Sequence, residues 1–211
     1  MAKSLLKLFD RPTVIPVATV ANADQAVALA GALQRGGLHS IEITLRTPAA
    51  AEAAVAVREA VPAIKLGIGT ITSLEQLARA AEMGADFAMS PGLDEDLARA
   101  AHDFDLAYLP GICTPSELMR AIALGYDVVK VSPVAPLGGV SLITQLAAVF
   151  PGIAFCATGG IREDSLASYL AAPGVFAVGG GWLAPRSLLD DGNWAGVESL
   201  ARRAAEICDG L

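Results

Sequence analysis

The sequence is poor in the residues that hold metals, form disulfides or bind polyanions. Its two histidines, His39 and His102, lie far apart, and neither has a second histidine or a cysteine at ligand spacing. Zinc-type chemistry is therefore disfavoured, which leaves carboxylate-bound magnesium as the one open metal reading. The expectation is no metal and no cofactor. The three cysteines, Cys113, Cys156 and Cys208, are odd in number, far apart and in apolar contexts. They suggest neither a disulfide framework nor a metal site, and a reducing cytoplasm fits them best. Charged residues make up only 18% of the chain, and 22 acids against 15 bases leave a net charge of −7 with no basic cluster. Such a chain is a poor binder of nucleic acid. No apolar run approaches the roughly 18 residues of a membrane span. The stretch from Met1 to Asp10 lacks the long apolar core and small-residue cleavage site of a secretory signal.

What the chain has is apolar mass: 54% hydrophobic residues and a mean hydropathy of +0.51 over 211 residues. Disorder needs the opposite composition. The length suits one domain, residues 1–211. Apolar surface beyond what one core can bury points to an oligomer.

The hydrophobic pattern repeats. Short β-branched runs begin near Val14, Ser40, Ile64, Asp86, Leu106, Val128, Ile153 and Val175, 20–26 residues apart. Alanine- and leucine-rich segments with helical periodicity fill the gaps, at 24–35, 48–60, 73–83, 94–102, 115–124, 139–150, 163–171 and 194–208. Thr47-Pro48 reads as an N-cap with proline in the first turn, and Ser73 to Gln76 as a capping box. Gly84 and Gly125 sit where helices should stop. Strands alternating with helices imply a parallel sheet, and eight such units match an α/β fold of the (β/α)8 TIM-barrel type. The rival, an open doubly wound sheet, lacks support because no G-x-G-x-x-G follows the first strand.

In such barrels the chemistry lies at the C-terminal ends of the strands. Those ends carry Thr19, Glu42 to Arg46, Gly69-Thr70, Ser90-Pro91-Gly92, Pro110-Gly111, Lys130, Thr158-Gly159-Gly160 and Gly179-Gly180-Gly181. Lys130 is one of only four lysines and interrupts the run Val-Val-Lys-Val, which otherwise reads as a buried strand. An isolated buried ammonium is costly, and a lysine that yields its proton can form a Schiff base with a carbonyl. It could equally snorkel to the rim or pair with an acid. Glu42 lies within Ser-Ile-Glu-Ile-Thr, where it could shuttle protons beside Lys130 or merely neutralise it. Arg46, in the loop above that strand, could bind a carboxylate bidentately or stand free in solvent. The paired glycines at the last two strand ends suit either an oxyanion approaching backbone N–H groups or two tight turns. Cys156, with no histidine beside it, reads as core.

Taken together, Ile-Glu-Ile-Thr-Leu-Arg-Thr, Gly-Ile-Gly-Thr, Ser-Pro-Gly-Leu, Leu-Pro-Gly-Ile, Val-Lys-Val-Ser-Pro, Thr-Gly-Gly-Ile and Gly-Gly-Gly-Trp-Leu resemble the 2-keto-3-deoxy-6-phosphogluconate (KDPG) and 4-hydroxy-2-oxoglutarate (KHG) aldolases, from about Val14 to Pro185. The resemblance implies a homotrimeric (β/α)8 barrel and a metal-free class I mechanism acting on a keto-acid substrate to give pyruvate and an aldehyde. Lys130 matches the Schiff-base lysine and Glu42 the general acid–base. Arg46 and Thr70 match the residues that hold the pyruvyl carboxylate and neighbouring polar groups. Thr158, Gly159, Gly160 and Gly180 match the distal phosphate pocket, and Pro91 and Gly181 complete the candidate substrate-binding set.

The chain also departs from the family. Where the family usually reads Phe-Phe-Pro-Ala-Glu after its lysine, this chain has Val131, Ser132, Pro133, Val134 and Ala135. Gly181 stands where the family often has serine, and Ile68 replaces the usual alanine before Gly69-Thr70. Ser132 should face the same side as Lys130, and Ile68, on Thr70's face, should narrow the pocket. These departures leave the lysine chemistry intact and predict a weaker preference for phosphate. A pyruvate aldolase with an unphosphorylated aldehyde partner, a sugar-phosphate isomerase or epimerase barrel, and a non-catalytic barrel are the other readings.

Overall fold

The structure, a computed structural model, describes residues 5–9, 12–104 and 106–210; Lys3 lies outside them. Nine strand segments among the described residues pair in parallel: β1 (Thr13–Ala18), β2 (Ser40–Thr44), β3 (Lys65–Gly69), β4 (Phe87–Met89), β5 (Ala107–Leu109), β6 (Gly111–Ile112), β7 (Val128–Val131), β8 (Ala154–Thr158) and β9 (Val175–Gly180). Their order around the sheet is β5-β4-β3-β2-β1-β9-β8-β7-β6. Its two ends, β5 and β6, are halves of one stretch of chain broken at Pro110. The proline has no N–H to give, but its carbonyl accepts from Lys130 N at 3.0 Å, while the Leu109 carbonyl accepts from Ser90 N on the other side. The ladder therefore closes on itself into eight strand positions, and the open sheet is ruled out.

Helices α1 (Ala23–Arg35), α2 (Ala50–Ala60), α3 (Leu74–Glu82), α4 (Glu95–Ala100), α5 (Pro115–Ala123), α6 (Val140–Val149), α7 (Leu166–Leu170), α8 (Arg186–Asp190) and α9 (Trp194–Asp209) alternate with the strands. Local signals set their ends. Asn22 caps α1 by accepting from Gln25 N. Thr114 and Glu117 form a reciprocal capping box at α5, which opens on Pro115. Gly84 and Gly125, just past α3 and α5, take φ of +71° and +89°. The expected box at Ser73 is only half made: Ser73 accepts from Gln76 N, but the Gln76 side chain turns to Thr72. Thr47 does not cap α2, which starts at Ala50, because its hydroxyl donates to the Val20 carbonyl.

Side chains alternate between two cores. The larger, between sheet and helices, takes Ile41, Ile43, Leu66, Ile68, Val129 and Phe155. The smaller fills the barrel axis with Ile15, Phe87, Met89, Leu109, Val128 and Cys156. A one-turn 3-10 helix, Leu5–Leu8, carries Leu5 into this inner core at 2% exposure. It is tied there by Lys65 Nζ, which donates to the Leu8 carbonyl and lies over the Phe9 ring. Neither Leu5–Leu8 nor α8 was expected, since segments this short show no periodicity. Ile68 faces the helices, so it does not narrow the pocket as expected. Thr70 leaves the strand's alternation through a left-handed backbone, φ +65°.

Candidate active site

The alternation that sends Ile41 and Ile43 outward sends Glu42 into the barrel, where it is 1% exposed. Lys130, inward on β7 and 8% exposed, crosses the lumen to it, with Nζ 3.5 Å from Glu42 Oε1. The two form a buried ion pair, one whose burial away from water is costly unless each group is well partnered. The second carboxylate oxygen, Oε2, is buried with no hydrogen-bond partner among the described residues, and so is Thr158 Oγ1. An unsatisfied buried acceptor is uncommon in a native fold.

Glycines make room for this carboxylate. A methyl at Gly69 would lie 1.9 Å from Glu42 Oε1, so the carboxylate rests directly over the backbone of β3. A methyl at Gly179 would lie 2.3 Å from Thr158 Cγ2. Gly159 and Gly160, at φ +92° and +79°, turn the chain after β8 so closely against Pro133 and Ala135 that side chains there would collide with them. Cys156, beside Lys130 in the ladder, is buried. Burial pushes its thiol up to about 12, the Lys130 ammonium opposing and Glu42 reinforcing the shift. It is inert as a nucleophile.

Lys130, Glu42, Arg46, Thr158, Gly159, Gly160 and Gly181 line one cavity of about 230 Å³ at the C-terminal ends of the strands. Thr70 stands at its side, where its hydroxyl accepts from Arg46 Nε at 3.3 Å. Among the described residues it is the one non-glycine with positive φ, a strain that tends to mark functional sites. Pro91 and Gly180 do not line this cavity. The Pro91 backbone packs against Gly111, and Gly180 packs against the Trp182 ring. Gly179, Ser132, Val17 and Ile161 line it instead. Period-2 alternation finds Gly179, two residues past inward Ala177 on β9, and Ser132, two residues past Lys130 and just beyond the end of β7. Among the described residues no group of three or more His, Cys, Asp or Glu is placed to hold a metal, and no helix is long and apolar enough to cross a membrane.

The fold and the site together define a parallel β/α-barrel protein with a lysine–carboxylate pair in a rim cavity beside an arginine and glycine-rich turns. Comparison with known proteins narrows this. The family model for the KDPG and KHG aldolases matches residues 6–200. The chain is 41% identical over 204 residues to the 2-dehydro-3-deoxy-phosphogluconate aldolase of Pseudoalteromonas atlantica, covering 97% of this chain and 95% of that one. It is 40% identical over 193 residues to the KHG/KDPG aldolase of Escherichia coli, covering 92% and 91%. Among solved structures, the KDPG aldolase of Legionella pneumophila, with pyruvate captured as a covalent carbinolamine, superposes with a TM-score of 0.89 at 35% identity over 92% of this chain and 94% of that one. The enzyme of Zymomonas mobilis gives 0.91 at 35% identity over 97% and 98%. The chain belongs to the KDPG and KHG aldolase family.

Proposed function

We propose that this chain is a class I lyase that cleaves 4-hydroxy-2-keto acids to pyruvate and an aldehyde. Its substrates are 2-dehydro-3-deoxy-6-phosphogluconate, giving glyceraldehyde 3-phosphate, and 4-hydroxy-2-oxoglutarate, giving glyoxylate. The observation that carries the reading is the buried Lys130–Glu42 pair with one carboxylate oxygen unsatisfied at the cavity. Lys130 Nζ, after passing a proton to Glu42, attacks the C2 ketone, and Glu42 returns that proton to the carbinolamine oxygen, which leaves as water to give an iminium and a free Glu42 carboxylate. Glu42 then takes the proton of the C4 hydroxyl. The C3–C4 bond breaks, its electron pair flows into the iminium to form an enamine, and the aldehyde leaves. Protonation at C3 and hydrolysis release pyruvate and free Lys130. Arg46 and Thr70, already in contact, hold the substrate carboxylate. Thr158 Oγ1 and the turn at Gly159 and Gly160 bind the other polar groups of the substrate.

The chain works as one domain, 1–211, without metal or cofactor, in the cytoplasm and as a homotrimer. Exposed apolar side chains such as Leu74, Met119 and Val149, 51–69% exposed, support self-association. The test of the chemistry is borohydride trapping with pyruvate, read by intact mass and peptide mapping. A single pyruvyl adduct on Lys130 is expected. A folded protein that yields no adduct removes the enamine mechanism.

A further inference from the structure

A second cavity, of about 430 Å³, adjoins the first and shares two wall residues with it, Val17 and Gly181. At Gly181 that wall has no side chain, and a methyl there would meet nothing within 4 Å. The remaining wall includes Thr19, Gln25, Thr47, Arg186 and Asp190. Its hydroxyl protons are already committed. Thr47 Oγ1 donates to the Val20 carbonyl at 2.9 Å. Thr44 Oγ1 donates its one proton to the Ala18 carbonyl at 3.1 Å, so the 2.8 Å contact between Thr19 and Thr44 must use the proton of Thr19. Gln25 accepts from Ala21 N and donates to the Leu189 carbonyl. What Thr19 and Thr47 still offer is lone pairs, Asp190 adds a carboxylate, and Gln25 keeps one amide proton to donate. Arg186 is the chamber's cation, but it is paired with Asp190 at 3.2 Å, and its side chain is 92% exposed to solvent, where its field is screened.

A wall whose one cation is offset by one carboxylate, and whose hydroxyls only accept, suits a neutral ligand that brings protons. Phosphate and carboxylate only accept, whereas each alcohol of a sugar chain donates once. We infer that the second chamber, reached past Gly181, receives the distal end of the substrate, and that it selects a neutral, polyhydroxylated aldehyde fragment of three or more carbons over a phosphorylated one. This rests on the aldolase reading and names its substrate class.

The test is steady-state cleavage of three substrates: 4-hydroxy-2-oxoglutarate, whose two-carbon fragment is too short to use the chamber, unphosphorylated 2-keto-3-deoxygluconate, and its 6-phosphate. The unphosphorylated six-carbon acid should be cleaved with kcat/KM equal to or above that of its phosphate. Thr47→Val should lower its kcat/KM relative to that of 4-hydroxy-2-oxoglutarate about fivefold, the effect of one lost hydrogen bond, and Thr47→Ser should restore the ratio. Gly181→Leu, which fills the passage, should lower it further. A ratio unmoved by both Thr47→Val and Gly181→Leu, or a large preference for the phosphate in the unaltered protein, overturns the inference while leaving the aldolase reading intact. Cleavage of none of the three, with no pyruvyl adduct, overturns the reading itself and the inference with it.

Discussion

A methyl group added at Gly69 tests whether the placement of Glu42 matters to the chemistry. The Gly69→Ala Cβ would stand 1.9 Å from Oε1, 2.7 Å from Cδ and 2.9 Å from Cγ of Glu42. Unstrained contacts of such atoms lie near 3.5 Å, so the carboxylate must retreat by more than ~1 Å. Its link to Lys130, at 3.5 Å, is already at the outer limit of a hydrogen bond. Any retreat changes the alignment between the acid and the lysine. A misplacement of this size costs on the order of 10²-fold in rate. Overpacking costs about 1–3 kcal/mol of stability, and for a chain of this length each kcal/mol lowers Tm by roughly 2–4 °C.

The assay is pyruvate release from 4-hydroxy-2-oxoglutarate, run beside borohydride trapping and a thermal melt. We expect kcat to fall about 10²-fold while the pyruvyl adduct still forms on Lys130, because the lysine itself is not displaced. Gly92→Ala is the control, since a methyl there meets nothing within 4 Å, and it should leave turnover and Tm unchanged. The reasoning is refuted if Gly69→Ala turns over at the unaltered rate in a folded protein, because Glu42 would then be doing no work that depends on its position over β3.

Three further outcomes follow from the same geometry. Glu42→Gln keeps the shape but cannot take a proton, so kcat should fall by ~10²–10⁴ with a smaller change in KM; equal loss in both would make Glu42 a binding group. Gly181→Ser, sterically free, adds a donor at the cavity wall, worth about 1.5–3 kcal/mol to a charged group. KM for the phosphorylated substrate should drop about tenfold, and an unchanged KM places the anion elsewhere. Glu117→Gln tests the α5 cap: burial tends to raise its carboxyl, but bonds from Cys113 and Thr114 outweigh that and hold it below the usual range. A carboxyl depressed on folding stabilises the fold above its unfolded value, about 4.3, and loses that effect as pH falls through its lower folded value. The variant should therefore melt lower at pH 7, by the ~1 kcal/mol of a cap, and the gap should close as pH falls below about 4. A gap independent of pH would mean that the charge is not what caps the helix.

How much of this could be read from the sequence depended on whether a residue's role was local. Strand positions were legible because parallel strands buried on both faces are β-branched runs, and helix stops because Gly84 and Gly125 supply the left-handed turn. The break of the fifth strand at Pro110 was not, since the missing N–H matters only once neighbours on both sides are known. Ile68 was misplaced because its face was inferred by counting back from Thr70, across the residue where the backbone turns left-handed and the alternation ends. Lys130 and Glu42 stood out as charges in apolar runs. The resemblance brought Arg46 and Thr70 together before any contact was known, whereas Pro91 and Gly180, also in the candidate set, do not line the cavity. Gly69 drew no notice as a determinant of Glu42, because an absent side chain reveals its purpose only when the atom occupying its space is known.

The unsatisfied Glu42 Oε2 explains why the pair is more than a structural ion pair. If neutralising Lys130 were its whole purpose, the second oxygen would be expected to accept from a neighbouring donor, as buried acceptors ordinarily do. Leaving it unpaired costs about 1–3 kcal/mol, and Gly69 in turn gives up side-chain packing to seat the carboxylate where this happens. Thr44 Oγ1, two residues along the same face of β2, gives its proton to the Ala18 carbonyl instead. A fold that tolerates an unpaired acceptor in this place has a site completed by a donor from outside the chain. The C4 hydroxyl of a 4-hydroxy-2-keto acid is such a donor, and its proton must leave for the C3–C4 bond to break.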